Sequence, residues 1–313
     1  MRRLFLLLLV SWCGCYAAGN NVCRPLDAGA GPTGIWLLCQ DGRILLSPDD
    51  GNTWQVKNVK AEAALRSAAF VDARRGFVVG NSGTLLGTED GGATWRKMEL
   101  PVTNNLTTIE FKGEAGWIAG YGGVVFHSED GGRSWTRQKS AVSQPLECLF
   151  FLDAQHGWAG GWIGNIMYTT DGGRTWRAGD TPKMAWTVNA IQFRDPKNGW
   201  AVGFAGQILR TKDGGATWTP APSPTNFSLT SILFDSSGTG WITADNDLLV
   251  SRDGGESWQF VELAGQPFFN RLIRAGKSLW AVGQYGRFEL AAGKQEWQDV
   301  GLPQPDSSTI AAR

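Results

Sequence analysis

Histidine is almost missing from this sequence, with 2 residues in 313. Chemistry that runs on imidazole, whether proton shuttling or zinc ligation, therefore has very few side chains to work with. An excess of charge of one sign is missing too, because 29 Lys and Arg face 29 Asp and Glu. Without a basic footprint, nucleic acid is not an expected partner. Long apolar runs are absent as well: Leu4 to Val10 falls far short of the roughly 20 residues that span a bilayer. Cysteines number only 5, too few for a disulfide-built scaffold of this length. What the chain does have is 42 Gly and 16 Trp, a pairing of tight turns with recurrent aromatic anchors that directs the search to internal repeats.

The first residues look like a targeting signal. Met1-Arg2-Arg3 is basic, Leu4 to Val10 is apolar, and Cys15-Tyr16-Ala17 places small residues for cleavage before Ala18. A signal peptide over residues 1–17 predicts a periplasmic or secreted protein. Gly14 before Cys15 leaves a lipid anchor at Cys15 as the alternative. Cys23, Cys39 and Cys148 then remain, an odd number in an oxidising compartment. Cys23 and Cys39 fall in the first repeat on neighbouring strands and form the expected disulfide, whereas Cys148 lies in an apolar run and is expected to be a buried thiol.

Aligning the chain on itself exposes the repeat. Asp90-Gly91-Gly92-Ala93-Thr94-Trp95 recurs as Asp130 to Trp135, Asp171 to Trp176, Asp213 to Trp218 and Asp253 to Trp258. Asp49 to Trp54 is a first copy, and Ala292 to Trp297 is a seventh that has lost its Asp. The tryptophans at 54, 95, 135, 176, 218, 258 and 297 are 39 to 42 residues apart. A second motif keeps step, Gly34-Ile35-Trp36, Gly76-Phe77, Gly116-Trp117, Gly157-Trp158, Gly199-Trp200, Gly240-Trp241 and Leu279-Trp280, each 17 or 18 residues before its box tryptophan. This period and turn content predict an all-β fold, a seven-bladed β-propeller of four-stranded antiparallel blades filling residues 18–313. In one blade the strands are expected over 65–71, 76–80, 84–88 and 94–100.

The pattern Ser/Thr-x-Asp-x-Gly-x-Thr/Ser-Trp, as in Thr88 to Trp95, is the Asp-box or bacterial neuraminidase repeat, which marks a fold and not an activity. Its pairing with Gly-Trp-x-x-Gly, as in Gly116 to Gly120 and Gly199 to Gly203, resembles the photosystem II stability and assembly factor family. The evenness of the blades places the chain with the non-photosynthetic bacterial relatives of that family. The resemblance implies a non-catalytic scaffold that binds a protein client in the membrane or cell envelope and helps it assemble.

Catalytic groups are not apparent. His127 falls on a third strand and His156 in a turn, with no companion ligands at metal spacing, so neither a metal nor a cofactor is expected. Asp72, Asp153, Asp195 and Asp235 recur just after the first strand, which points to turn formation. A glycan-binding or sialidase-like glycoside-hydrolysing propeller is the alternative, with Glu110, Glu147, Asp195 and Asp235 as its carboxylates.

Binding residues are expected on the face shared by the second-to-third strand hairpins and the loops leading into each first strand. Tyr121, Trp162, Phe204 and Tyr285 stand at hairpin tips. Trp186, Phe227, Phe268 and Phe269, with Lys183, Arg66 and Arg271, come from the lead-in side. Aromatics with a few cations are the composition of protein-docking patches. The protein is expected to act as a monomer.

Overall fold

In a computed structural model, residues 23–303 are described apart from 33, 183–185, 264–267, 285, 293 and 295. The leader over 1–17 and Cys15 lie outside the described residues, as do Lys183 and Tyr285. Seven four-stranded antiparallel sheets follow one another along the chain, each strand pairing with its sequence neighbour. Blade two is typical, with strands Leu65–Phe70, Gly76–Gly80, Leu85–Thr88 and Arg96–Lys97. Its outermost strand is shorter than the expected 94–100. This strand is a sheet edge and pairs on one side only, through Arg96 and Lys97.

Each intact Asp-box closes the third-to-fourth strand turn with its own side chains. Asp90 accepts the Thr94 backbone N–H at 2.8 Å and the Thr88 and Thr94 hydroxyls at 2.8 and 2.6 Å, while Gly92 N–H donates to Thr88 Oγ1. The same bonds recur around Asp130 and Asp171. Asp72 and Asp195 likewise take two backbone N–H groups each of the first-to-second strand turns, as expected.

Between blades, the second-strand tryptophan does the joining. Trp117 stacks on Phe151 of the next blade with ring centroids 3.5 Å apart, and its indole N–H donates to Gly172 O in that blade's Asp-box. Trp158 repeats this with Phe193 and Gly214 O, and Trp200 packs on Phe234 at a tilt, 4.4 Å between centroids, and donates to Gly255 O. The glycines of the Gly-Trp-x-x-Gly motif are explained by close approach. A methyl on Gly157 would lie 2.1 Å from the Phe151 ring, and one on Gly161 would lie 2.0 Å from Pro145 O. No side chain fits at either place.

Ring closure uses no shared strand, because blade one runs from Pro25–Gly31 through Gln55–Asn58 and blade seven from Phe269–Ala275 through Gln298–Asp299. Side chains seal the seam instead. Asn270 Nδ2 donates to Pro25 O at 2.7 Å, and Arg271 pairs with Asp27 at 2.9 Å. A disulfide joins Cys23 to Cys39 and so ties the first strand to the second, and Cys148 is a buried free thiol.

Two outcomes test this account. Hydrogen bonds from Thr94 and Thr88 hold the Asp90 carboxyl at about 2, and Asp130 and Asp171 reach the same value where hydroxyl and N–H donors outweigh partial burial. Groups depressed on folding lend stability that is complete above their unfolded value near 4 and is lost as pH falls towards 2. The urea midpoint is therefore expected to drop steeply across that window, and a flat profile there would contradict the bonding described. Reducing the Cys23–Cys39 bridge, which closes a loop of sequence separation 16, is expected to cost about 3 kcal/mol. Hydrogen exchange should rise first in Pro25–Gly31; protection retained there after reduction would show that the seam does not need the bridge.

Candidate functional site

The hairpins of blades three to five are anchored through their backbones. Tyr121 N–H donates to Asn105 O at 2.8 Å, Trp162 N–H to Pro145 O at 3.0 Å and Phe204 N–H to Thr187 O at 3.1 Å, each acceptor lying in the loop that leads into the same blade. The next residue takes a left-handed conformation, φ 74° at Gly122, 52° at Ile163 and 57° at Ala205. A β-branched residue there is a true outlier, and such strain persists where surrounding structure dictates it. The tip residue is thereby directed outward on a rigid support.

Exposed apolar surface collects at this end. Of the eight large apolar side chains exposed among the described residues, Leu26, Trp162, Ile163, Phe204, Phe227 and Phe268 belong to the hairpin and lead-in side. Trp162 is 44% exposed and Phe204 is 59% exposed. Trp162 is oriented by Glu147, whose Oε1 accepts the indole N–H at 2.8 Å, and Tyr121 meets it edge-on at 5.7 Å between centroids. Partial burial and then the Glu147 charge raise the Tyr121 phenol pKa, with Arg66 opposing. Arg66 itself donates to Asn81 Oδ1 at 3.0 Å. Arg66, Tyr121, Glu147 and Trp162 thus form one polar and aromatic group across blades two to four, and Phe204, Phe227 and Phe268 continue the apolar surface over blades five to seven.

Three sequence expectations need correction. Trp186 is 5% exposed, because its ring fills the space above Gly203, where a methyl would lie 2.6 Å from it. Phe269 is buried against Phe288. Arg271 does not join the aromatic face; it points into the central channel from the first strand of blade seven and pairs with Asp27. Glu147 as the indole acceptor was not foreseen. The signal available was the column Asn81, Tyr121, Trp162, Phe204, Asp245 and Gln284, which varies freely although glycines flank it in every one of these repeats except the sixth.

The channel itself is a cavity of about 380 Å3 lined by first strands. Asp27, Glu110, Lys112, Cys148 and Arg271 in it are bound to one another or to the backbone. Asp27 also accepts the Ser67 hydroxyl at 2.8 Å, and Glu110 accepts Phe151 N–H and pairs with Lys112 at 3.1 Å. Burial pushes the Glu110 carboxyl up, against the pull of Lys112, and pushes the Cys148 thiol up to about 12. His127 stacks on Trp117, and His156 Nδ1 lies 2.9 Å from Asp153. Among the described residues no three His, Cys, Asp or Glu side chains group as metal ligands.

Known proteins match this chain in both sequence and fold. The curated sequence relatives are short matches: 42% identity over 65 residues to the Photosystem II assembly lipoprotein Ycf48 of Parasynechococcus marenigrum, and 26% over 82 residues to the Photosystem II assembly protein Ycf48 of Thermosynechococcus vestitus. The matched segment covers 20% of this chain and 20% of the first relative, and 25% and 24% for the second. Among solved structures, YCF48 bound to D1 peptide shares the fold at TM-score 0.65 and 23% identity, covering 80% of this chain and 86% of that one. A GH74 enzyme of Niastella koreensis shares it at TM-score 0.65 and 16% identity, over 88% of this chain and 44% of that one, which speaks to the fold alone. An Asp-box repeat model matches residues 167–178. With the model for the Photosynthesis system II assembly factor YCF48 matching residues 46–147 and 180–275, more than half of the sequence, the chain belongs to that assembly-factor family.

Proposed function

We propose that the protein is an exported, non-catalytic scaffold whose hairpin face holds a segment of a membrane or envelope protein while that client assembles. The observation that carries this reading is the concentration of exposed apolar side chains on backbone-pinned tips at one end of the ring. Rigid aromatic anchors lose little conformational freedom on binding, which is why tryptophan and tyrosine dominate protein interfaces. Trp162, Phe204 and Tyr121 are the anchors, and Arg66 and Glu147 supply polar contacts beside them; Tyr285, outside the described residues, is added to the set on its sequence position alone. The family is one of assembly factors, and one structural relative is bound to a peptide. Export follows from the leader over 1–17, and the lipoprotein names of several relatives support an envelope location, with Cys15 as the anchor point if the chain is lipidated. The scaffold acts as a monomer.

A photo-cross-linker at Phe204 identifies the client segment in the exporting cell, and a peptide of that segment can then be titrated. Trp162→Ala and Phe204→Ala are expected to weaken its binding by about 2 kcal/mol each with little change in thermal unfolding. Trp186→Ala behaves differently: as a buried residue it is expected to lower stability by about 3 kcal/mol. Unchanged peptide affinity in folded Trp162 and Phe204 variants defeats the docking reading. So does hydrolysis of a glycoside by the parent that disappears in Glu147→Gln.

A further inference from the structure

On the opposite end of the ring, between blades six and seven, lies a cleft of about 420 Å3. Its floor is apolar, formed by Trp241, Leu279, Leu290 and Trp297. Around it stand Arg252, Arg274, Lys277 and Lys294, with Asp235 as the one carboxylate. Asp235 is already engaged, accepting the Ser237 and Thr239 backbone N–H groups at 2.8 and 3.0 Å. None of the four cations makes an ion pair among the described residues. Other seams differ, since Arg210 pairs with Glu256 between blades five and six and Arg75 pairs with Glu114 between blades two and three.

The seventh box explains why this seam is open and cationic. Six boxes carry an Asp that ties the turn to a preceding Ser or Thr, as Asp253 does with Ser251 and Ser257. At the equivalent positions the seventh has Ala292 and Leu290, followed by Lys294. The carboxylate and its hydroxyl partner are both gone, an apolar side chain enters the floor, and a cation is added at the rim. A volume of this size suits one small ligand and not a folded surface.

We propose that this cleft binds a small amphiphilic anion, with its apolar body against Trp241 and Trp297 and its carboxylate or phosphate head among Arg252, Arg274 and Lys277. The two halves of the site call for the two halves of the ligand. An acidic peptide would satisfy the cations and leave the floor empty, and a neutral hydrocarbon would do the reverse. The site is separate from the hairpin face, and its occupation does not depend on client docking.

Isothermal titration of the mature protein with decyl phosphate and with decanoate, below their aggregation concentrations, tests the assignment. Saturable binding of one molecule per chain is expected, weakened by added salt, with none for inorganic phosphate or decyltrimethylammonium over the same range. The double variant Arg252→Glu with Lys277→Glu alters exposed residues and is expected to weaken binding by about tenfold or more; Lys277→Gln is the milder substitution if the double variant unfolds. Phe204→Ala should bind as the parent does, which separates this site from the hairpin face. Equal binding of the decyl cation overturns the proposal, and so does affinity unchanged in folded rim variants. Preference for a polyglutamate peptide would assign the cations to an acidic protein segment, and sedimentation with phosphatidylglycerol vesicles without saturable decyl phosphate binding would assign them to a membrane surface; both results reject it.

Discussion

From blade three to blade six the ring stands on one recurring contact, in which the second-strand tryptophan leaves its own blade to pack on the first-strand phenylalanine of the next and to donate to a glycine carbonyl in that blade's Asp-box. One side chain therefore buries apolar area and satisfies a backbone acceptor at once. Much of the repeat follows from making room for it. The glycines before Trp117, Trp158, Trp200 and Trp241 stand under a phenylalanine ring of their own blade, and the second box glycine lies against the incoming ring, 2.8 Å from Trp158 at Gly215 and 2.4 Å from Trp200 at Gly255 if a methyl were added. Box and Gly-Trp motif are two halves of one joint, which is why they keep a constant spacing along the chain.

That coupling also explains what could be read from the sequence. Blade number, strand order and the turn roles of Asp72, Asp153, Asp195 and Asp235 depend on neighbours a few residues away, and local hydrogen bonds enforce them in every copy. The box tryptophan can bind within its own box, as Trp218 does in donating to Gly215 O. The inter-blade role of Trp117, Trp158 and Trp200 was invisible because the partner lies about one repeat further on. Repetition shows that a residue is needed without showing which blade it touches.

Site residues divide along the same line. Trp162 and Phe204 could be picked out because tip residues vary from blade to blade while most of the glycines around them stay. Trp186 could not be told from them by type, since a tryptophan in a loop can cap the core or face water, and the space over Gly203 decided for the core. Arg271 was misplaced for a different reason. It shares a first-strand column with Asp27, Ser67, Thr108, Cys148 and Ser231, all channel-lining, and in that column an arginine meets Asp27 across the closing seam. A charge pair needs both partners placed before either can be assigned.

The two ends of the ring are unequal for a physical reason. On the Asp-box end, six copies spend their hydroxyls, carboxylates and many backbone donors on closing their own turns, leaving few groups available to a ligand. On the hairpin end, main-chain bonds from Tyr121, Trp162 and Phe204 pin their loops, so those tip side chains can change while the anchoring bonds remain. Variation is tolerated where the main chain does the holding, and binding specificity can be built there without disturbing the fold. The seventh blade breaks this asymmetry, because losing the Asp of its box frees the Asp-box end at one seam from the same structural duty. A repeat protein gains sites in this way: wherever a copy stops contributing its standard bond, the space and charge that the bond occupied become available to something else.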